Sequence, residues 1–267
     1  MNDFFKPIVG WSACLGIRSC RYDAGTKPNP LGKIFFSKVQ LLDFCPEEEA
    51  GLGTPRLPMN LYFIKPNSWA LMEPTSGTDF TQALNRAAEK IIARLALAEG
   101  LLLKAKSPSC AIFDCKGYDL QSSTGSWNPV AGLFGQKIID HPGRWLYLDE
   151  RQLADPWRRE LWLTGLFQLA RLRATKDFSQ FHQSQQAISQ GLGIKEALGE
   201  RSQDPAAYRD LWVRTLNHPP SWETFTRRLG LPQLAFEPAD LRLLAGPGLY
   251  PDQSLQAPYP HELRTGA

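Results

Sequence analysis

Three short apolar runs constrain the fold more than any other feature of the chain: Pro7-Ile8-Val9-Gly10-Trp11, Val39-Gln40-Leu41-Leu42-Asp43-Phe44 and Leu101-Leu102-Leu103-Lys104-Ala105. Each has the length of a strand, and each breaks off before a loop that carries a cysteine. Those loops read Ser12-Ala13-Cys14-Leu15, Cys45-Pro46-Glu47 and Ser107-Pro108-Ser109-Cys110. Ahead of the third run, Leu84, Ala87, Ala88, Ile91, Ile92, Leu95 and Ala98 recur at helical spacing, with Thr78 or Asp79 to cap the start and Gly100 to end it. Strands alternating with helices predict an α/β fold, a mostly parallel sheet with flanking helices that carries the cysteine site. In such sheets ligands gather beyond the carboxyl ends of the strands, and Cys14, Cys45 and Cys110 all fall at such ends.

If the fold gathers these three thiols, they hold a metal or an iron–sulfur cluster through three bonds and leave one metal position open for chemistry. Soft thiolates favour zinc or an iron–sulfur cluster over magnesium or calcium, and spacing alone does not separate those two. The other two of the five cysteines, Cys20 and Cys115, read as small core residues. An odd number of cysteines without a compact disulfide spacing fits a reducing cytoplasm. The start, Met1-Asn2-Asp3-Phe4-Phe5-Lys6, lacks a basic region followed by an apolar run, and the stretch Ile91 to Leu103 is interrupted by Arg94 and Glu99. The expectation is a soluble, cytoplasmic protein that keeps its first residues and has no membrane partner.

Beyond Leu120 the pattern changes. Gln121 to Pro129 is polar and reads as a loop, Val130 to Ile139 as a short helix, and His141-Pro142-Gly143 as a turn. Asp155-Pro156 looks like a cap and first-turn proline for a helix from Trp157 to Lys176; Asp204-Pro205 opens another through Leu216, and Trp222 to Leu229 a third. With 267 residues, 43% of them hydrophobic, the chain is expected to divide into an α/β domain, 1–147, and a smaller helical domain, 148–267, whose proline-bearing tail after Gly246 reads as extended or poorly ordered.

There is no P-loop, G-x-G-x-x-G, H-E-x-x-H or C-x-x-C, which argues against a nucleotide hydrolase, a dinucleotide enzyme, a zincin and a zinc ribbon. The four histidines are scattered and give no support to a histidine-based site. The net charge of +3 does not demand an anionic partner, and residues 150–267 carry 14 Lys and Arg against 13 Asp and Glu. Arg158, Arg159, Arg171, Arg173 and Lys176 are candidate phosphate contacts, while Trp157, Trp162, Phe167, Trp212 and Trp222 either stack on bases or fill a core.

Four ordered motifs carry a family resemblance: Ser12-Ala13-Cys14-Leu15; Arg21-Tyr22-Asp23; Cys45-Pro46-Glu47 with Gly51-Leu52 and Thr54-Pro55-Arg56; and Ser107-Pro108-Ser109-Cys110. Over roughly residues 6 to 140 the chain resembles the cluster-dependent thiouracil desulfidases. From Leu148 through Ala174 it is similar to the start of a second domain found in longer relatives that act on 4-thiouridine in tRNA. The resemblance implies a [4Fe–4S] cluster held by Cys14, Cys45 and Cys110, with one open iron free to take the sulfur of a thiocarbonyl. It implies a thiolated nucleobase, nucleotide or tRNA as partner. Glu47, two residues after a ligand, is then the candidate general acid–base group, and Ser107 and Ser109 the candidates to orient the substrate or relay a proton. Arg21, Tyr22, Asp23 and Arg56 are candidates to hold a base edge or phosphate; equally, pairs such as Arg21–Asp23 brace the loops. The rival is a non-catalytic RNA-binding or interaction protein with a structural metal, its fourth position closed by Cys20 or Cys115. Oligomeric state is not legible.

Overall fold

The computed structural model describes residues 6–28, 35–65, 68–119, 127–194 and 204–231, together with positions 197, 238 and 241. The tail beyond Gly246 lies outside the described residues.

The predicted runs form one parallel sheet. Strands β1 (Ile8–Ser12), β2 (Gln40–Phe44), β5 (Gly100–Leu103) and β8 (Leu146–Asp149) lie in the order β2-β1-β5-β8, every pairing parallel. Continuous apolar strands suit such a sheet because both of its faces are covered. One face packs Ile8, Leu101 and Leu103 against Ile91 and Leu95 on and beside helix α2 (Thr81–Arg94) and Phe134 and Ile138 of helix α3 (Leu133–Ile139). The other packs Val9, Trp11, Leu102 and Leu148 against helix α4 (Pro156–Ala174) and helix α7 (Pro205–Asn217). In α4 every residue from Glu160 to Ala170 is buried, which explains a sequence without a polar face. Asp155 caps α4 by accepting from Trp157 N at 2.8 Å, and Asp204 caps α7 by accepting from Ala206 N at 2.9 Å, as their Asp-Pro pairs predict.

The aromatic residues of this half fill the core rather than a stacking surface. Trp157, Trp162, Phe167 and Trp212 are all buried, and Trp222 packs edge-on against Trp157 at 4.9 Å. Helices α5 (Phe178–Ser184), α6 (Gln186–Leu192) and α8 (Trp222–Arg228) complete this layer.

A second sheet departs from the sequence expectation. Strands β3 (Asn60–Lys65), β4 (Ser68–Met72), β6 (Cys115–Asp119) and β7 (Trp127–Val130) order as β4-β3-β6-β7, with β3–β6 parallel and the two outer pairings antiparallel. Trp127 to Pro129, read as the end of a loop, therefore belongs to an edge strand, where proline is tolerated because no ladder donor is missed. Val130, read as the start of a helix, ends that strand, and the helix begins three residues later.

Gly100 marks where α4 meets the parallel sheet. A Cβ there would stand 2.4 Å from Leu166 Cδ2 and 2.9 Å from the Leu146 carbonyl oxygen. Gly100→Ala is expected to lower stability by about 1–3 kcal/mol, because the backbone oxygen cannot rotate away as a side chain can. Thermal denaturation tests this; a variant melting with the wild type would show that the layers separate freely.

Candidate active site

Adjacency of β2, β1 and β5 brings the cysteine loops together. Ser12 pairs with Phe44 and Trp11 with Leu102, so the three strands end at one edge of the sheet. Cys14 follows β1, Cys45 follows β2 directly, and Cys110 lies on the loop after β5. All three line one cavity of about 360 Å³, together with Ser12, Cys20, Arg21, Tyr22, Glu47, Arg56 and Ser107. A pocket of this size suits a small planar ligand.

Cys45 precedes helix α1 (Pro46–Glu49), whose first-turn acids include Glu47. After α1 the chain reverses through Gly51 and Gly53, with φ of +84° and +73°, and this reversal returns Arg56 to Glu47. Arg56 Nε donates to Glu47 Oε2 at 2.9 Å and its Nη2 also pairs with that oxygen. The same guanidinium donates to the Gly53 carbonyl at 2.7 Å and the Cys20 carbonyl at 3.1 Å. Ser109, fully buried, donates its hydroxyl to Glu47 Oε1 at 2.8 Å. The carboxylate is therefore fixed at both oxygens beside the thiols. Ser107 Oγ accepts from the Ser109 and Cys110 backbone N–H groups at 3.2 and 3.0 Å, which closes the loop and sets its hydroxyl beside the Cys110 thiol.

The rim is braced. Arg21 donates to both oxygens of Asp23 at 3.0 Å, and this guanidinium holds the Asp23 carboxyl down at about 2. Arg21, Tyr22 and Arg56 face the cavity, whereas Asp23 and Ser109 are not among its lining residues and hold those that are.

Cys20 belongs to this site, not to a remote core. Its Sγ, that of Cys45 and a Glu48 carboxylate oxygen lie within 4.8 Å of one another, and Cys45 Sγ donates to the Cys20 carbonyl at 3.9 Å. The nearby Cys14 sulfur, with burial adding, pushes the Cys20 thiol up to about 12. The Cys45 thiol is raised by its contact with Cys20 and by burial, and the Cys110 thiol by burial. Such thiols keep their protons until a metal displaces them. Cys115, by contrast, packs with Leu61 and Leu71 in the core under the second sheet. Lys27, Lys104 and Lys106 also line the cavity, and no motif in the sequence marks them. The short interval from Cys14 to Cys20, within one loop, was the signal that places Cys20 here.

A single tetrahedral ion on bonds of about 2.3 Å needs ligand sulfurs roughly 3.8 Å apart. Among the described residues the compact set is Cys20, Cys45 and Glu48, whereas Cys14, Cys45 and Cys110 spread around the cavity wall. That wider, all-thiol set fits a multi-iron cluster.

No curated protein matches the chain. A solved structure of the [4Fe–4S]-dependent thiouracil desulfidase TudS is similar, with 27% sequence identity over 56% of this chain and 95% of that one, at a TM-score of 0.45. The family model of 2-thiouracil desulfurase matches residues 9–150, the stretch that spans every cysteine, Glu47, Arg56 and both serines. The chain belongs to the 2-thiouracil desulfurase family.

Proposed function

We propose that this protein removes the sulfur of a thiolated uracil and that its first substrate is 4-thiouridine in tRNA, with free 2- or 4-thiouracil or thiouridine monophosphate next. The observation that carries the reading is the convergence of Cys14, Cys45 and Cys110 with Glu47 and Ser107 on one cavity wall. In that arrangement the three thiolates would hold a [4Fe–4S] cluster, as TudS is described to depend on. Such a cluster, when bound, supplies one iron without a protein ligand, a soft Lewis-acid site for the substrate's sulfur.

The reaction exchanges C=S for C=O, with water as co-reactant and sulfide as product, and requires no net electron transfer. Glu47 takes a proton from the attacking water at a carboxylate lone pair that the bonds from Ser109 and Arg56 do not use, and it returns one to the ring nitrogen. Ser107 turns its hydroxyl proton to a substrate acceptor. Arg21, Tyr22 and Arg56 hold the base edge or a phosphate, and Asp23 keeps Arg21 in place. On this reading residues 1–147 carry the chemistry and 148–267 are accessory in function, while their helices close the core of the parallel sheet. Among the described residues no helix is long and apolar enough to cross a membrane.

Anaerobic reconstitution with iron and sulfide, followed by loss of thiocarbonyl absorbance on 4-thiouridine-containing tRNA and on free thiouracil, tests the proposal. Four irons per chain and loss of absorbance are expected. Retention of zinc with no cluster would instead favour a structural ion at Cys20, Cys45 and Glu48, the compact set described above.

A further inference from the structure

We infer that the outward face of the second sheet is a docking platform for unpaired RNA nucleotides that flank the base bound in the cavity. The inference rests on the thiolated-base reading above. Strand alternation sends Leu61, Leu71, Cys115 and Val130 to the core side, and among the described residues no core cluster takes Tyr62, Tyr118 or Trp127 from the opposite side. On that opposite side the register aligns Tyr62, Tyr118 and Trp127 in one row across three neighbouring strands. The Tyr62 and Tyr118 rings are 5.9 Å apart, and Trp127 is 47% exposed.

The next row places Asn60 beside Lys116, which is exposed and whose Nζ sits 4.9 Å from the Trp127 ring. No Asp or Glu alternates onto this face from the regularly paired parts of the four strands. A row of two half-buried tyrosines and an exposed tryptophan, edged by a cation and free of carboxylates, matches a ligand that is both stacking and anionic. Single-stranded nucleic acid is that ligand: its bases stack on aromatic faces and its phosphates seek lysine.

The strand that carries Tyr62 begins directly after the cavity wall. Pro58 and Met59 line the cavity, β3 starts at the next residue, and Asn60 Nδ2 donates to the Tyr62 hydroxyl at 3.4 Å. Lys27 and Lys106 on the cavity wall add positive charge, whereas Lys104 is paired with Glu150.

The test uses the cluster-loaded full chain and a fluorescein-labelled, uridine-rich single-stranded RNA, read by anisotropy, with the same sequence as a duplex for comparison. Trp127→Ala and Tyr118→Ala are each expected to raise Kd by about tenfold. Lys116→Ala is expected to lower the slope of log affinity against log salt by about 0.7, the loss of one phosphate contact on a single strand. Trp127→Phe restores binding, and Tyr118→Leu, which keeps the packing without the ring face, repeats the loss should the alanine variant unfold. Desulfuration of free thiouracil stays at the wild-type rate in all of them. The inference is overturned if these variants bind RNA as the wild type does, if the duplex binds more tightly than the single strand, or if Arg171→Glu with Arg227→Glu removes binding instead. Concentration-dependent self-association abolished by Trp127→Ala would assign the face to a second copy and equally overturn it. Failure of the wild type to desulfurate any thiobase would defeat the desulfidase reading and leave the RNA titration to be judged alone.

Discussion

Glu47→Gln is expected to lower kcat for desulfuration by about 10²- to 10⁴-fold while cluster content stays at four irons per chain. The magnitude is that of a removed general acid–base group. Glutamine keeps the length of the side chain and an acceptor for Ser109, so the loop after β2 holds its shape, but it cannot take a proton from water. Arg56 loses its anion in this variant, and a partly buried cation left alone weakens the fold, so a melting curve accompanies the kinetics. A second variant separates proton transfer from positioning. Arg56→Lys retains a cation but not the fork that reaches Glu47, the Gly53 carbonyl and the Cys20 carbonyl together. It is expected to lower kcat by about tenfold through misplacement of Glu47. If Glu47→Gln turns over at the wild-type rate with the cluster intact, Glu47 is a brace for Arg56 and no more.

How far the sequence exposed this site follows from burial. The strands of the parallel sheet are covered on both faces, so their apolar runs are uninterrupted, and strand adjacency then carries Cys14, Cys45 and Cys110 to one edge. The second sheet has one face on the core and one open. Its strands mix Tyr62 and Lys116 with Leu61 and Gly117, its last strand contains Pro129, and none of this stands out from loop composition. Arg56 and Glu47 are nine residues apart, and their pairing depends on a reversal at Gly51 and Gly53 that no periodicity announces. A lone thiol reads as a core residue, and Cys20 is indeed buried, but in the wall of the cavity. In the helical half the Asp-Pro pairs announce the helix starts, because a cap is a local property, while its aromatic residues pack against the sheet.

Cys45→Ala is expected to abolish both metal retention and activity, and on its own that result would not identify the metal. Cys45 belongs to the three-thiol set around the cavity and also to the compact group with Cys20 and Glu48. The discriminating pair is Cys110→Ala and Cys20→Ala. Cys110 is fully enclosed in the site with Cys45 and lies outside the compact group, so a cluster held by three thiols loses its iron when Cys110 is removed, and activity falls to background. A single ion on Cys20, Cys45 and Glu48 would survive that change and be lost with Cys20 instead. Iron, zinc and acid-labile sulfide contents of the purified variants, read beside the visible spectrum, separate the two. The cluster assignment requires that Cys14→Ala, Cys45→Ala and Cys110→Ala all arrive without acid-labile sulfide, that Cys115→Ala retains the wild-type complement because its thiol packs under the other sheet, and that Cys20→Ala retains it too. Acid-labile sulfide at wild-type level in Cys110→Ala would sink the three-thiol assignment, whatever the activity of that variant.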